Sequence, residues 1–190
     1  MKFNKHLEYE GQHAFLSASG YHWLNYTQEH LIDVYNNSKA KEKGTLLHQF
    51  ACDAIAFGIP LMEDGSTLSM YVNDCISDGM SPEIVLYYSP RCFGTADAIS
   101  FDEDNNILRI YDLKTGKTKA SIKQLYIYAA QFCLEYAKNP NDLTIHLRIY
   151  QNGEVFTDDP TGETIWGVMD TIIGFDNLLN YQDSLNEGGQ

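Results

Sequence analysis

The chain reads as an α/β protein of the α+β kind, with a mixed central β-sheet flanked by helices, and three observations predict it. Apolar residues recur at helical spacing through the first third of the chain. Three short segments rich in β-branched and aromatic residues then follow one another with only turn signals between them. A helix, a strand and a last helix complete the order, a succession that packs helices against a sheet.

Taken in order, Ser17 or Ser19 is a good N-cap for a helix through Trp23, Tyr26, Ile32 and Tyr35. Thr45 caps a second, through Leu46, Leu47, Phe50, Ala54 and Phe57, which Gly58 and Pro60 end. A third spans about Ser66 to Asp78, bounded by Gly65 and Gly79. The strands are Glu83 to Ser89, Thr95 to Phe101 and Ile107 to Leu113, with Asp104-Asn105-Asn106 turning between the last two. Ala120 to Lys138 is helical, with Leu125, Tyr128, Ala129, Phe132 and Tyr136 on one stripe, and Asn139-Pro140-Asn141 stops it. Leu143 to Tyr150 alternates as a strand and Glu154 to Thr157 is a short one. Glu163 to Tyr181 is the last helix, and fraying is expected from about Asp183.

No repeat, low-complexity stretch or linker interrupts the 190 residues, so a single domain over 1–190 is expected, and a hydrophobic fraction of 44% is enough for an ordinary core. No run of about 18 apolar residues occurs, and Met1 to Glu10 is polar, unlike a secretory signal, which predicts a cytoplasmic protein with no membrane partner. Cys52, Cys75, Cys92 and Cys133 have no C-x-x-C spacing and read as free buried thiols.

The net charge of -13 argues against a polyanionic partner, since such affinity comes from lysines and arginines that displace counterions. The acidity is uneven, however. Residues 1–148 hold all 13 bases against 18 acids, whereas 149–190 hold 8 acids and no base. Bases gather at Lys39, Lys41 and Lys43, and again at Lys114, Lys117, Lys119 and Lys123, either a local positive surface on an otherwise acidic body or simply a solvated face.

The segment richest in chemistry is Gly94-Thr95-Ala96-Asp97 followed, one hairpin later, by Asp112-Leu113-Lys114-Thr115-Gly116. Antiparallel pairing sets Asp97, near the start of one strand, beside Asp112, near the end of the next. Two carboxylates that close repel unless a cation sits between them, and hard oxygen ligands on rigid strands suit Mg²⁺ or Mn²⁺. Lys114 leaves the same sheet face as Asp112 by the period of two, placed to hold or deprotonate an attacking water or to neutralise charge on a phosphate. Taken singly, these residues favour an ordinary hairpin with solvated acids and a lysine on its exposed face.

The combined pattern resembles the RecB-like nucleases of the PD-(D/E)XK superfamily, which include CRISPR-associated RecB-like exonucleases and a group of prophage-encoded proteins. That family has a helix histidine, a G-x-x-D strand, a D-x-K strand followed by Thr-Gly, and a Q-x-x-x-Y helix. This chain shows His48, Gly94 to Asp97, Asp112 to Lys114, and Gln124 with Tyr128 in that order. The prophage group is also similar at Leu16-Ser17-Ala18-Ser19, Trp23-Leu24-Asn25, Lys43-Gly44-Thr45 and Tyr150-Gln151, so the likeness covers roughly Ala14 to Gln151.

The resemblance implies a restriction-endonuclease-like fold and metal-dependent hydrolysis of DNA phosphodiesters. It implies that Asp97, Asp112, the carbonyl of Leu113 and the imidazole of His48 coordinate Mg²⁺ or Mn²⁺. Lys114 would be the catalytic lysine, and Gln124 and Tyr128 would position the site or the DNA. Glu83, opening the first strand, is either one further metal carboxylate or an ordinary solvated strand end. Lys117, Lys119 and Lys123 follow the catalytic strand and are the expected DNA contacts. The CRISPR-associated relatives carry four cysteines for an iron–sulfur cluster, but nothing after Cys133 is a cysteine here, so no cluster is expected. The leading expectation is an exonuclease or end-processing nuclease of phage recombination or replication, working in the cytoplasm of a bacterial host. A competing expectation is an idle nuclease scaffold that binds a protein partner through its acidic surface.

Overall fold

The computed structural model describes residues 4–187 and divides into two compact units, Met1–Thr45 and Leu46–Gln190. Every predicted site residue belongs to the second unit.

In the first unit, the helix expected from Ser17 or Ser19 does not begin there. Leu7–Tyr9 and Tyr21–Asn25 are 3₁₀ turns, and α1 starts only at Gln28 and runs to Ala56. Ser17 instead builds a tight turn: its hydroxyl accepts from the Gly20 amide at 3.3 Å and its carbonyl from Trp23 Nε1 at 2.9 Å. Thr27 is the working cap, its hydroxyl accepting from the His30 amide at 3.2 Å.

The break expected at Thr45 is absent as well. Thr45 Oγ1 donates back to the Lys41 carbonyl at 3.1 Å, so the hydroxyl is satisfied inside a continuous helix. Gly44 costs such a helix about 1 kcal/mol relative to alanine, too little to interrupt 29 residues containing no proline.

In the second unit, α2 spans Thr67–Ser77. Ser66 caps it by accepting from the Ser69 amide, and Asp64 accepts from the Ser66 amide and the Ser69 hydroxyl. Those bonds hold the Asp64 carboxyl down at about 2. Five strands follow in one sheet, in the order β1 (Ser81–Ser89), β2 (Cys92–Asp102), β3 (Ile107–Lys114), β4 (Thr144–Gln151) and β5 (Glu154–Asp158). All neighbours are antiparallel except β3 and β4, which run parallel because α3, Lys123–Glu135, carries the chain back between them. The expected mixed sheet with flanking helices is what the chain forms.

Alternation along β3 and β4 fills two separate layers. Leu108, Ile110, Leu147 and Ile149 pack with Leu125 and Ala129 of α3 and with Ile165 and Met169 of α4, which spans Gly162–Glu187. Tyr111, Leu113 and Tyr150 pack with Ala51 and Ile55 of α1 and with Tyr71 and Cys75 of α2. The sheet is therefore covered on both faces, and β3 is anchored from each side.

The last helix, α4, runs to Glu187, through the position from which fraying is expected. Arg91, in the β1–β2 turn, holds that end by hydrogen bonds to Asn180 at 2.8 Å and to Asp183. The part of the expectation that falls on Gly188 to Gln190 lies outside the described residues. Among the described residues no helix is long and apolar enough to cross a membrane.

Candidate metal centre

The acids meet where the β2–β3 ladder stops. Pairing runs from Asp102 and Ile107 to Ala98 and Tyr111; Asp97 and Asp112 are the next residues along. There the Leu113 amide donates to Asp97 Oδ2 at 3.0 Å, so a side chain replaces the main-chain partner. The sheet period also slips at this point. Ala96 and Ile99 both pack in the α3/α4 layer although three residues apart, and Ala98 turns to the other layer. On the facing strand, Glu83 lies between the pairs Pro82–Ala98 and Ile84–Ala96 with φ at 52°, a left-handed conformation that a non-glycine residue rarely holds.

These distortions gather side chains from three elements. One ligand atom each of His48, Glu83 and Asp97 lie within 4.8 Å of one another. His48 reaches in from α1, with Nδ1 3.4 Å from Asp97 Oδ2. Burial first, and then the Asp97 charge, raise the Glu83 carboxyl above its ordinary range, against the opposing pull of His48. Left without a cation, the arrangement is electrostatically unfavourable.

Asp112 is not a member of that triplet. Its side chain leaves the sheet one strand over and is 2% exposed. Oδ1 accepts from Lys114 Nζ at 2.9 Å, while Oδ2 is buried with no hydrogen-bond partner. Burial first and the Asp97 charge second push its carboxyl up to about 6, in spite of Lys114. The orphaned oxygen and the raised carboxyl both mark a group that lacks a positive partner on one side.

From Asp112 a chain of hydrogen bonds runs outward. Lys114 Nζ donates to Gln124 Oε1 at 3.1 Å, and Gln124 Nε2 donates to the Tyr128 hydroxyl at 3.1 Å. The Tyr128 ring lies against Gly94: a Cβ added there would meet Tyr128 Cε1 at 3.0 Å. Gly94 thus sits at a close approach where a side chain would have to displace the Tyr128 ring, which ties the first residue of G-x-x-D to the last of Q-x-x-x-Y.

The structure therefore brings the sequence-derived residues together as two groups, His48–Glu83–Asp97 and Asp112–Lys114–Gln124–Tyr128, joined through the Leu113 amide. Leu113 itself is 2% exposed in the α1/α2 layer. Lys117 and Lys119 lie in the loop after β3 and Lys123 opens α3. The Lys119 ammonium sits 5.7 Å from the centroid of the Phe156 ring. None of the three makes an ion pair among the described residues.

Sequence reasoning gave no role to Gln151, a buried amide at the end of β4, beyond counting Tyr150-Gln151 in the likeness to the prophage group. It also passed over Arg91, whose partners on α4 are more than 80 residues away in sequence.

The triplet, with Asp112 beside it, can hold a metal ion through one nitrogen and several carboxylate oxygens. Compared with family models, with characterised proteins and with solved structures, the chain matches none, so the reading of this centre rests on its own residues and geometry.

Proposed function

We propose that the chain is a Mg²⁺- or Mn²⁺-dependent deoxyribonuclease, an exonuclease or end-processing enzyme of phage recombination or replication. One observation carries the reading: His48, Glu83 and Asp97 lie within 4.8 Å of one another, beside a buried Asp112 that has one orphaned oxygen and a lysine on the other. The donors fit a hard divalent cation, and the imidazole among them favours Mn²⁺ over Mg²⁺. His48, Glu83, Asp97 and Asp112 would hold it. Bound there, a cation polarises a phosphodiester and lowers the pKa of a water.

The chain's own groups do the rest. An ammonium has three donors; Lys114 gives one to Asp112 and one to Gln124, leaving the third for a phosphate oxygen or the attacking water. Gln124, fixed in turn by Tyr128, keeps that donor aimed. Because Asp112 is buried, the local dielectric is low and the Lys114 charge acts strongly on charge developing at phosphorus.

Labelled linear and circular DNA incubated with the protein in Mn²⁺, and again in EDTA, tests the reading. Metal-dependent cleavage supports it, and loss of linear DNA alone assigns an exonuclease. Intact DNA in both Mg²⁺ and Mn²⁺ would sink it. A second reading, a scaffold that binds a protein partner without catalysis, is favoured by the 8 acids and no base of residues 149–190. Inert DNA together with a saturable basic protein partner would select it.

A further inference from the structure

Gln151 ends β4 and pairs with Lys114 across the parallel ladder. Its side chain is 2% exposed, so its one oxygen and two N–H donors must all find partners inside the protein. They find them in a single segment. Oε1 accepts from the Ala120 amide at 3.0 Å, and Nε2 donates to the carbonyls of Gly116 at 2.7 Å and Thr118 at 2.8 Å. That segment is the loop between Lys114, the last residue of β3, and Lys123, the first of α3. Among the described residues, no backbone-to-backbone hydrogen bond involves residues 116–121. The Gln151 amide is what ties the loop to the sheet, with Lys119 over Phe156 of β5 as a second point of attachment.

We propose that Gln151 is a positioning residue, clamping the 115–122 loop so that Lys117, Lys119 and Lys123 present a fixed row of ammonium groups to a DNA backbone beside the metal centre. The proposal rests on the nuclease reading and deepens it, since it names what holds the substrate-binding loop. The side chain suits the task. Three backbone groups of mixed polarity, two acceptors and one donor, call for a group with two donors and one acceptor, and a primary amide is the neutral side chain that supplies them. A glutamate there keeps the acceptor and loses both donors; a methionine of similar length loses all three.

The test uses the full chain with Gln151→Met, and with Gln151→Glu where the first variant fails to fold. In metal-free protein the Ala120 amide, the one amide of the loop that Gln151 accepts from, should exchange with deuterium about tenfold faster than in wild type, with the sheet amides unchanged. In Mn²⁺ the KM for linear DNA should rise about tenfold with kcat held within about twofold, the loss falling on binding. The decisive arm combines Gln151→Met with Lys117→Ala, Lys119→Ala and Lys123→Ala. A residue that acts through those lysines adds nothing once they are gone, whereas an independent structural defect adds in full. Additive losses, or unchanged exchange at Ala120, overturn the clamp. A wild-type protein that neither binds nor cuts DNA sinks the nuclease reading alone, and the exchange at Ala120 still decides whether Gln151 fastens the loop.

Discussion

Asp112→Asn should make the metal-free protein more stable at pH 8 while removing its response to Mn²⁺. The Asp112 side chain is buried, and burial together with the Asp97 charge moves its carboxyl from 3.8 to about 6. A carboxyl whose folded pKa lies above its unfolded one binds more protons in the folded state. Its contribution is therefore favourable below about pH 4 and is lost as pH rises from about 4 through about 6. At about 1.4 kcal/mol per unit, the ionised group costs the folded state about 3 kcal/mol at pH 8. An asparagine keeps an oxygen for Lys114 but gives up a charge-assisted bond, which offsets about 1 kcal/mol of the gain. The net is about 2 kcal/mol, or a Tm rise of about 4 to 8 °C for a chain of this length. Thermal melts of both proteins from pH 4 to pH 8, in EDTA and in Mn²⁺, read it directly. The curves should converge near pH 4 and diverge above pH 6 in EDTA, and Mn²⁺ should raise the Tm of wild type alone. A variant less stable than wild type at pH 8 in EDTA would refute the reasoning, because Asp112 would then be stabilised by its surroundings and would have no need of a cation.

Glu83→Gly should stabilise the apo fold by about 1 kcal/mol, since glycine accepts the left-handed φ of 52° without strain, and should weaken Mn²⁺ binding; calorimetric titration showing unchanged affinity removes Glu83 from the centre. Lys114→Ala should lower kcat by about 10² to 10³ while leaving DNA affinity near wild type, and equal losses in both would make Lys114 a phosphate anchor. Gly94→Ala places a methyl 3.0 Å from the Tyr128 ring, so turnover should fall with metal affinity intact; wild-type rates would show that the Gln124–Tyr128 arm has no part in aiming Lys114.

The hairpin carrying Asp97 and Asp112 was legible in the sequence because turn residues and the ends of the apolar runs agree there, although the strand period slips beside Asp97. The helices were less so. Ser17 and Thr45 have the chemistry of caps, yet one closes a turn and the other bonds backwards inside α1; a hydroxyl satisfies a nearby backbone group either way, and local sequence does not choose. The triplet was harder still. Glu83 reaches Asp97 only through the β1–β2 register and a left-handed backbone at its own position, and His48 arrives from a helix 35 residues earlier than Glu83. The Gln151 clamp spans 31 to 35 residues of sequence, beyond any local pattern.

The charge of the chain and the proposed substrate come into accord once it is asked which charges remain available at the centre. Arg91 is engaged with Asp183 and faces Asp176 at 3.7 Å, and Arg148 is engaged with Asp74, so of the three arginines only Arg109, on β3, has no ion pair among the described residues. On the other side of the balance, Asp176 accepts from Ser89 and Asp158 from Tyr126, which ties two of the C-terminal acids into the fold. The bases without an acidic partner among the described residues include Lys117, Lys119 and Lys123, which follow Lys114 directly out of β3. At physiological salt a charge is screened beyond about 8 Å, so a phosphate at the centre would feel Lys114 and the metal-holding carboxylates there and little of the distant acids. On the proposed nuclease reading, net charge would bear on how fast DNA approaches, and the loop that Gln151 fastens on how firmly it is held. Added salt screens the long-range repulsion while loosening the short-range contacts, two effects of opposite sign. For this chain the dependence of DNA binding on salt should accordingly be shallower than its count of lysine contacts alone requires, at about 0.9 log units per phosphate neutralised. A slope equal to or steeper than that count, measured by titration across a salt series, would show that the acidic body contributes nothing to the encounter.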